Sequence, residues 1–144
     1  MNRAVRSWRA YRAMTWAERR VLAQVLVLLP VTAVGLRMFG YARMRAFLVH
    51  GKGTRPAGRD LRAAQALARL VHGAAQWSPA RANCLPRSLV LCRLLEKQGL
   101  QAELRLGVAK ADGTLTAHAW VEHAGMALGE PVATGQRFST LHVD

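Results

Sequence analysis

Residues 83–99 read NCLPRSLVLCRLLEKQG, and residues 100–122 read LQAELRLGVAKADGTLTAHAWVE. The apolar positions of the first stretch recur at helical spacing, with Asn83 as a polar N-cap and Gly99 as a left-handed C-cap. In the second stretch the apolar period changes to two, which is typical of half-buried strands, and the Asp-Gly pair at 112–113 predicts a hairpin turn. The two stretches therefore predict a helix followed by an antiparallel β-meander.

The chain before residue 50 is apolar and basic. Thr15 and Glu18 have the spacing of a capping box, which predicts that a helix begins here. The apolar run Val21–Leu36 has sixteen residues, fewer than the ~20 that span a bilayer. Pro30 is expected to kink or split this helix, so that a second, amphipathic helix covers Val31–Val49. The flanking arginines leave interfacial binding to anionic lipid open.

A loop rich in glycine at 51–58 marks the predicted domain boundary. It separates a basic, apolar helical region, residues 1–52, from a second region, residues 53–144. The second region opens with a predicted helix over Arg59–Ala75, and a short strand over Met126–Glu130 ends its meander. Helices followed by an antiparallel sheet define an α+β fold.

Composition excludes several classes of protein. A chain of 144 residues that is 51% hydrophobic is long enough and apolar enough for one folded domain. Two cysteines without zinc-ligand spacing predict neither a disulfide scaffold nor a metal site, and no ligand cluster implies a metal or organic cofactor. No secretory signal pattern is present, so we expect a cytoplasmic protein, with membrane association left open.

The charge lies mainly in the first part of the chain. Residues 1–60 contain twelve Lys or Arg and two acids, a balance of +10 within the net +13 of the whole chain. Such a surface suits nucleic acid, an anionic membrane or an acidic peptide, or is simply a solvated arginine-rich face. Aromatic residues do not interleave with the basic ones as in nucleic-acid motifs, so no nucleic-acid partner is predicted.

Cys84 is the candidate nucleophile because it opens the predicted helix behind Asn83. Backbone N–H groups and the helix dipole at that position stabilise a thiolate, and the same N–H groups can hold the oxyanion of an acyl-transfer intermediate. A buried structural cysteine is the alternative. Cys92 lies about 12 Å further along the helix, too far for a disulfide, and on the apolar stripe, so we expect it in the core.

His118 is the candidate general base for a cysteine nucleophile. It lies in mid-strand on the face opposite the row of Leu115 and Val121, although a structural role is the alternative. We expect His72 to be a surface or capping residue and His123 to be exposed at a turn.

Glu130 is the candidate acid that orients His118. If residues 123–125 form a three-residue loop, Glu130 lies opposite His118 on the same face of the sheet. A two-residue loop would instead send Glu130 to the other face, and an ordinary surface acid is the alternative reading. Asp112 lies roughly 20 Å away along the strand and is excluded.

Three blocks of sequence carry a family resemblance, at residues 82–99, 102–108 and 117–122. They resemble the lasso-peptide biosynthesis B2 proteins, which are transglutaminase-like, papain-like cysteine peptidases that remove the leader from a ribosomally made precursor. The resemblance covers about residues 59–138. It implies Cys84 as nucleophile, His118 as base and Glu130 as the orienting acid, a position that is often aspartate in this family.

The resemblance also implies substrate contacts and partners. Arg87, Ser88 and Trp120 are implied to contact substrate, with helix packing as the other role for Arg87 and Ser88. Residues 1–51 do not resemble the winged-helix recognition domain that some members carry. The implied partners are therefore the precursor peptide, a separate leader-recognition protein and an ATP-dependent macrocyclase.

Two other functions remain open at this point. A non-catalytic transglutaminase-like scaffold could bind a peptide or a membrane surface. Acyl transfer to an amine instead of water would use the same residues as hydrolysis.

Overall fold

A computed structural model describes residues 3–49, 60–78, 83–130 and 137–141. Its α-helices are α1 (Arg3–Ala13), α2 (Trp16–Leu48), α3 (Leu61–Ala75) and α4 (Cys84–Lys97). Its β-strands are β1 (Glu103–Ala111), β2 (Thr114–His123), β3 (Met126–Ala127) and β4 (Ser139–Leu141). The predicted α+β class is confirmed, whereas the predicted loop at 51–58 and the domain boundary lie outside the described residues.

Helix α2 begins at the predicted capping box, which is confirmed. The Thr15 backbone N–H donates to the Glu18 carboxylate at 2.7 Å, and the Glu18 N–H donates to the Thr15 hydroxyl at 3.3 Å. The predicted break at Pro30 is wrong, because the helix continues through it, and so is the predicted separate helix over Val31–Val49. The backbone leaves helical geometry at Gly40 instead, where φ is +78°.

Core packing explains why Pro30 does not end the helix. Val25 and Leu29 before the proline and Thr32 after it are fully buried, and the two apolar side chains share one core with α3 and α4. Burying two such side chains stabilises the helix by roughly 3–6 kcal/mol, which offsets the ~3 kcal/mol that an internal proline costs. By length and composition α2 could also cross a membrane.

Helices α3 and α4 provide the rest of the core. Asp60 caps α3, since its Oδ1 accepts from the Ala63 N–H at 3.1 Å. Helix α4 begins and ends close to the predicted residues, and Gly99 has the expected positive φ of +74°. Asn83 occupies the N-cap position of α4, but its side chain makes no capping hydrogen bond.

The sheet has the strand order β3-β2-β1-β4 and is antiparallel throughout. The predicted turn at 112–113 is confirmed: Ala111 pairs with Thr114, and both loop residues have positive φ, as a type I′ turn requires. Strand β1 begins at Glu103 rather than at Leu100. Strand β4, which the sequence patterns do not predict, pairs with the middle of β1.

The second turn differs from the prediction by one residue. His123 pairs with Met126 around a two-residue loop, so the predicted three-residue loop is wrong. This register places Leu128 beside Val121, and the Leu128 N–H donates to the Val121 carbonyl at 2.8 Å. Both side chains lie in the core shared with α2, α3 and α4, which we call the main core. A three-residue loop would have placed Leu128 on the opposite face, because each one-residue slip reverses the faces. Strand β3 accordingly ends at Ala127 rather than at Glu130.

Candidate active site

The Glu130 carboxylate joins side chains from three elements of the fold. Its Oε2 lies 3.3 Å from the Nε2 of His118 on β2, and its Oε1 accepts from the Arg87 guanidinium of α4 at 3.3 Å. His72 of α3 places its Nε2 3.7 Å from the same Oε1. Glu130 is largely buried, and a buried carboxylate with such partners is held in one position. The structure therefore brings His118 and Glu130 together, as predicted, although the loop that leads to Glu130 is not the predicted three-residue loop.

Gly129 is the residue that takes Glu130 to this face of the sheet. With the two-residue loop, a regular strand would carry Glu130 to the face opposite His118. The chain instead leaves the strand at Leu128, and Gly129 adopts a φ of +67°. A Cβ at Gly129 would lie 2.7 Å from the His72 ring, so both the conformation and the space require glycine.

Helix α4 is attached to β2 one turn after Cys84. The Ser88 hydroxyl donates to the Ala119 carbonyl at 3.0 Å, in a buried hydrogen bond next to His118. Arg87, which reaches Glu130, lies on the same side of the helix. Residues three and four positions apart share a helix face, so Cys84 lies on the face that meets β2.

The backbone around Cys84 favours a nucleophile. Cys84 is half-buried and is the first residue of α4, so its own N–H and that of Leu85 have no partner within the helix. The Asn83 side chain makes no capping hydrogen bond, so it does not occupy these N–H donors. Cys92, by contrast, is fully buried, as predicted, and burial raises the pKa of its thiol to about 12.

Two aromatic residues pack around His118. The Trp120 ring lies almost parallel to the imidazole at a centroid distance of 6.1 Å, and the Phe138 ring lies at 5.2 Å. Gly107, which pairs with His118 across the β1–β2 ladder, makes room for both, since a Cβ there would lie 2.8 Å from Phe138 and 2.9 Å from Trp120. The imidazole is therefore held between Glu130 at Nε2 and two aromatic rings.

Ser88 and Trp120, which the resemblance implies contact substrate, are both buried in the structure. Both side chains lie inside the fold, Trp120 being only 1% exposed, and both bind protein atoms. The Trp120 indole N–H donates to Glu122 at 3.0 Å, and Glu122 in turn accepts from Arg105 at 3.1 Å. Arg87 is partly exposed and pairs with Glu130, so its substrate contact stays a prediction.

The sequence patterns did not predict that His72 and Phe138 belong to this cluster, and they wrongly predicted that His123 is exposed. His72, expected at the surface, contacts Glu130, and its Nδ1 lies 2.7 Å from the Ala68 carbonyl, to which it donates. Burial lowers the pKa of His72, Arg87 acts in the same direction, and the bond to Ala68 and the carboxylate of Glu130 oppose them. Phe138 lies beyond Glu130, in a part of the chain for which the sequence patterns predict no helix or strand.

His123, expected to be exposed, is fully buried, and its Nδ1 lies 2.6 Å from the Gln101 carbonyl. The period-two pattern could have located His123, because it lies on the face of Val121.

Comparison with protein families identifies the class of this fold and site. A family model described as the transglutaminase-like superfamily matches residues 25–143, so the chain belongs to that superfamily. The superfamily includes cysteine peptidases. No curated protein and no solved structure matches the chain. Within the described part of the chain, no group of three His, Cys, Asp or Glu side chains is arranged to hold a metal ion.

Proposed function

We propose that this protein is a cysteine peptidase that removes the leader segment from a ribosomally synthesised lasso-peptide precursor. Cys84 is the nucleophile, His118 the general base and Glu130 the acid that orients the base. Membership of a superfamily that includes cysteine peptidases supports the reaction class. The B2-like blocks at residues 82–99 and 117–122 support the substrate class.

One observation carries the proposal: the Glu130 carboxylate bridges the first turn of α4 and the Nε2 of His118. Because Nε2 faces the carboxylate, Nδ1 is the ring nitrogen that can take the thiol proton. The Ser88–Ala119 hydrogen bond holds the Cys84 end of α4 against this part of β2. A nucleophile, a base and an acid that orients the base are the groups that covalent acyl transfer needs.

The reaction follows from these roles. The Cys84 sulfur attacks the carbonyl at the leader–core junction while His118 takes the thiol proton. The N–H groups of Cys84 and Leu85 donate to the oxyanion that forms, and Glu130 stabilises the imidazolium. His118 then gives the proton to the departing amine. Water attacks the acyl-enzyme, its proton goes to His118, and the thiol is restored as the new carboxylate leaves.

The partners in this proposal follow from the resemblance. A separate leader-recognition protein presents the precursor, and an ATP-dependent macrocyclase closes the ring after cleavage. The net charge of +10 over residues 1–60 suits an acidic leader or its carrier.

Leader release, followed by mass spectrometry, tests the proposal. The full chain is incubated with the precursor and the leader-recognition protein, with and without the macrocyclase. We expect cleavage at one bond, and in ¹⁸O-labelled water we expect one ¹⁸O in the new carboxylate. The variant Cys84→Ala should form no product, whereas Cys92→Ala, the matched control, should keep cleaving because Cys92 is enclosed in the core.

Three results would contradict the proposal. Cleavage that persists in Cys84→Ala would exclude this nucleophile. Transfer to an added amine without ¹⁸O incorporation would identify an acyltransferase. If the recognition protein binds the leader but the complete mixture releases none, the non-catalytic scaffold becomes the better description.

A further inference from the structure

Helix α2 has a long exposed side opposite the side that packs into the core. Seven exposed residues follow one another along it at helical spacing, and we call them the outer stripe: Trp16, Arg20, Ala23, Val27, Val31, Val34 and Met38. Spacings of three and four residues place them on one line, about 33 Å long at ~1.5 Å per residue. Apolar side chains this extensive on a surface mark an interaction site.

The apolar surface continues past the bend at Gly40. The bend packs Met44 against Gly35, since a Cβ at Gly35 would lie 2.5 Å from the Met44 sulfur. An open groove of about 700 Å³ forms between the two arms of α2, and the exposed rings of Phe39 and Phe47 line it. The groove also contains Val31 and Val34 and is therefore continuous with the outer stripe.

The charge of α2 is mainly positive. Residues 16–48 contain five Arg and one acid, Glu18, whose carboxylate accepts the N-terminal capping bond from Thr15. Arg20 lies near one end of the outer stripe, Arg37 is exposed at the other end, and Arg43 lines the groove. Trp16, at the first turn of α2, supplies the amphipathic ring that is favoured at a membrane–water interface.

The packing of α2 determines how it can meet a membrane. Val25 and Leu29 are fully buried in the core shared with α3 and α4. A helix that crossed the bilayer would have to withdraw these side chains from that core. A helix that lies in the plane of the interface keeps them in place and turns only its outer stripe towards lipid.

From this placement we infer that the outer stripe and the adjoining groove bind the surface of an anionic lipid bilayer, with α2 parallel to the membrane plane. The apolar side chains enter the boundary between headgroups and acyl chains, and the arginines at both ends contact lipid phosphates. An anionic lipid surface satisfies this arrangement because its charge is spread along the whole length of the stripe. The inference is independent of the proposed peptidase activity.

Co-sedimentation of the full chain with vesicles tests the inference. One set of vesicles is phosphatidylcholine alone, and the other contains equal parts of phosphatidylcholine and phosphatidylglycerol. We expect binding to the second set that weakens as salt is raised. Met38→Asp and Val34→Asp should each lower the partition coefficient about tenfold or more, because an apolar contact is replaced by a repelled charge.

Matched variants distinguish vesicle binding by this surface from nonspecific adsorption to lipid. Leu115, on the β1–β2 hairpin, is as exposed as Met38, at 68% against 72%, so Leu115→Asp should leave binding unchanged. Arg37→Gln and Arg43→Gln should each reduce binding about fivefold at low salt, whereas Arg62→Gln on the exposed side of α3 should not. Circular dichroism confirms that each variant is folded.

Quenching by brominated lipid gives a second readout. We expect that vesicles quench the tryptophan fluorescence, and that Trp16→Phe reduces the quenched fraction more than Trp77→Phe does. Both side chains are exposed in the free protein, so solvent exposure alone does not produce this difference.

Several outcomes would overturn the inference. One is no binding to the phosphatidylglycerol vesicles at low salt, and another is binding that Met38→Asp and Val34→Asp leave unchanged. A third is an oligomer in sedimentation velocity that Met38→Asp converts to a monomer, because the stripe would then be an interface between copies. Loss of binding to the leader-recognition protein in these variants, without any lipid binding, would identify a protein partner instead.

Discussion

The cluster around Glu130 and the outer stripe of α2 use charge in opposite ways. In the cluster, the Glu130 carboxylate lies within 4 Å of Arg87, His118 and His72. In the outer stripe, Arg20 lies among exposed apolar side chains, and α2 as a whole contains five Arg against one acid, Glu18. Paired charges fix the position of an imidazole, whereas an excess of positive charge attracts a negatively charged partner outside the chain. The protein therefore separates the groups suited to chemistry from those suited to attachment.

The largest expected effect tests whether the paired charges serve catalysis. Glu130→Gln keeps the shape of the side chain but removes the charge that stabilises a His118 imidazolium. We expect kcat for leader release to fall about 10³-fold, which corresponds to ~4 kcal/mol, while vesicle binding is unchanged. Glu103→Gln is the control, because Glu103 pairs with Arg105 at the surface of β1. Equal losses in both variants would mean that the effect is not specific to the cluster.

The next effect compares the two sides of α2. Leu29 is 0% exposed and Val31 is 57% exposed. Leu29→Ala should lower the free energy of unfolding by ~3 kcal/mol, since it leaves a cavity in the main core, and Val31→Ala should change it by less than ~0.5 kcal/mol. Urea denaturation measures both values. A large loss for Val31→Ala would show that this side of α2 is covered in the free protein.

Gly129 gives a smaller effect within the cluster. Gly129→Ala places a Cβ against the His72 ring at a residue with positive φ, and we expect ~2 kcal/mol of destabilisation together with slower leader release. Gly99→Ala is the matched variant: its φ is also positive, but nothing lies within 4 Å of the added Cβ. It should cost ~1 kcal/mol and leave kcat unchanged. Similar behaviour of the two variants would remove the role given to Gly129.

The smallest expected effect is the dependence of stability on pH. Because the pKa of His72 is lowered in the folded protein, the unfolded chain binds a proton first as the pH falls. The contribution of His72 is therefore complete above its ordinary pKa of about 6.5 and declines as the pH falls below that value. His72→Gln should flatten this part of the curve of unfolding free energy against pH. An unchanged slope would contradict the role of His72 burial.

The regular elements of the fold were predictable because each has a local cause. The capping box at Thr15, the cap at Asp60 and the Asp-Gly turn at 112–113 all act within a few residues. Periodicity likewise placed Cys84 at a helix start and His118 in mid-strand. These features need no knowledge of distant contacts.

The errors arose where distant contacts decide the local structure. Pro30 stays helical because Val25 and Leu29, which precede it, are buried in the core shared with α3 and α4. Ala124 adopts a φ of +51°, which alanine disfavours, because the resulting register buries Leu128. The contact between Glu130 and His118 was predicted from an incorrect loop length and exists because Gly129 redirects the chain. No local pattern marks His72 as a neighbour of Glu130 or Phe138 as a neighbour of His118.

The strand order also determines when His118 acquires its surroundings during synthesis. Strand β4 pairs with β1 but follows the other described elements along the chain, and Phe138 immediately precedes it. As a ribosome extends the chain, the hairpin of β1 and β2 can close within microseconds of its emergence. The aromatic wall beside the imidazole forms only after residue 138 has also emerged and β4 has paired. A partly synthesised chain therefore carries His118 and Trp120 before Phe138 is in place beside the imidazole.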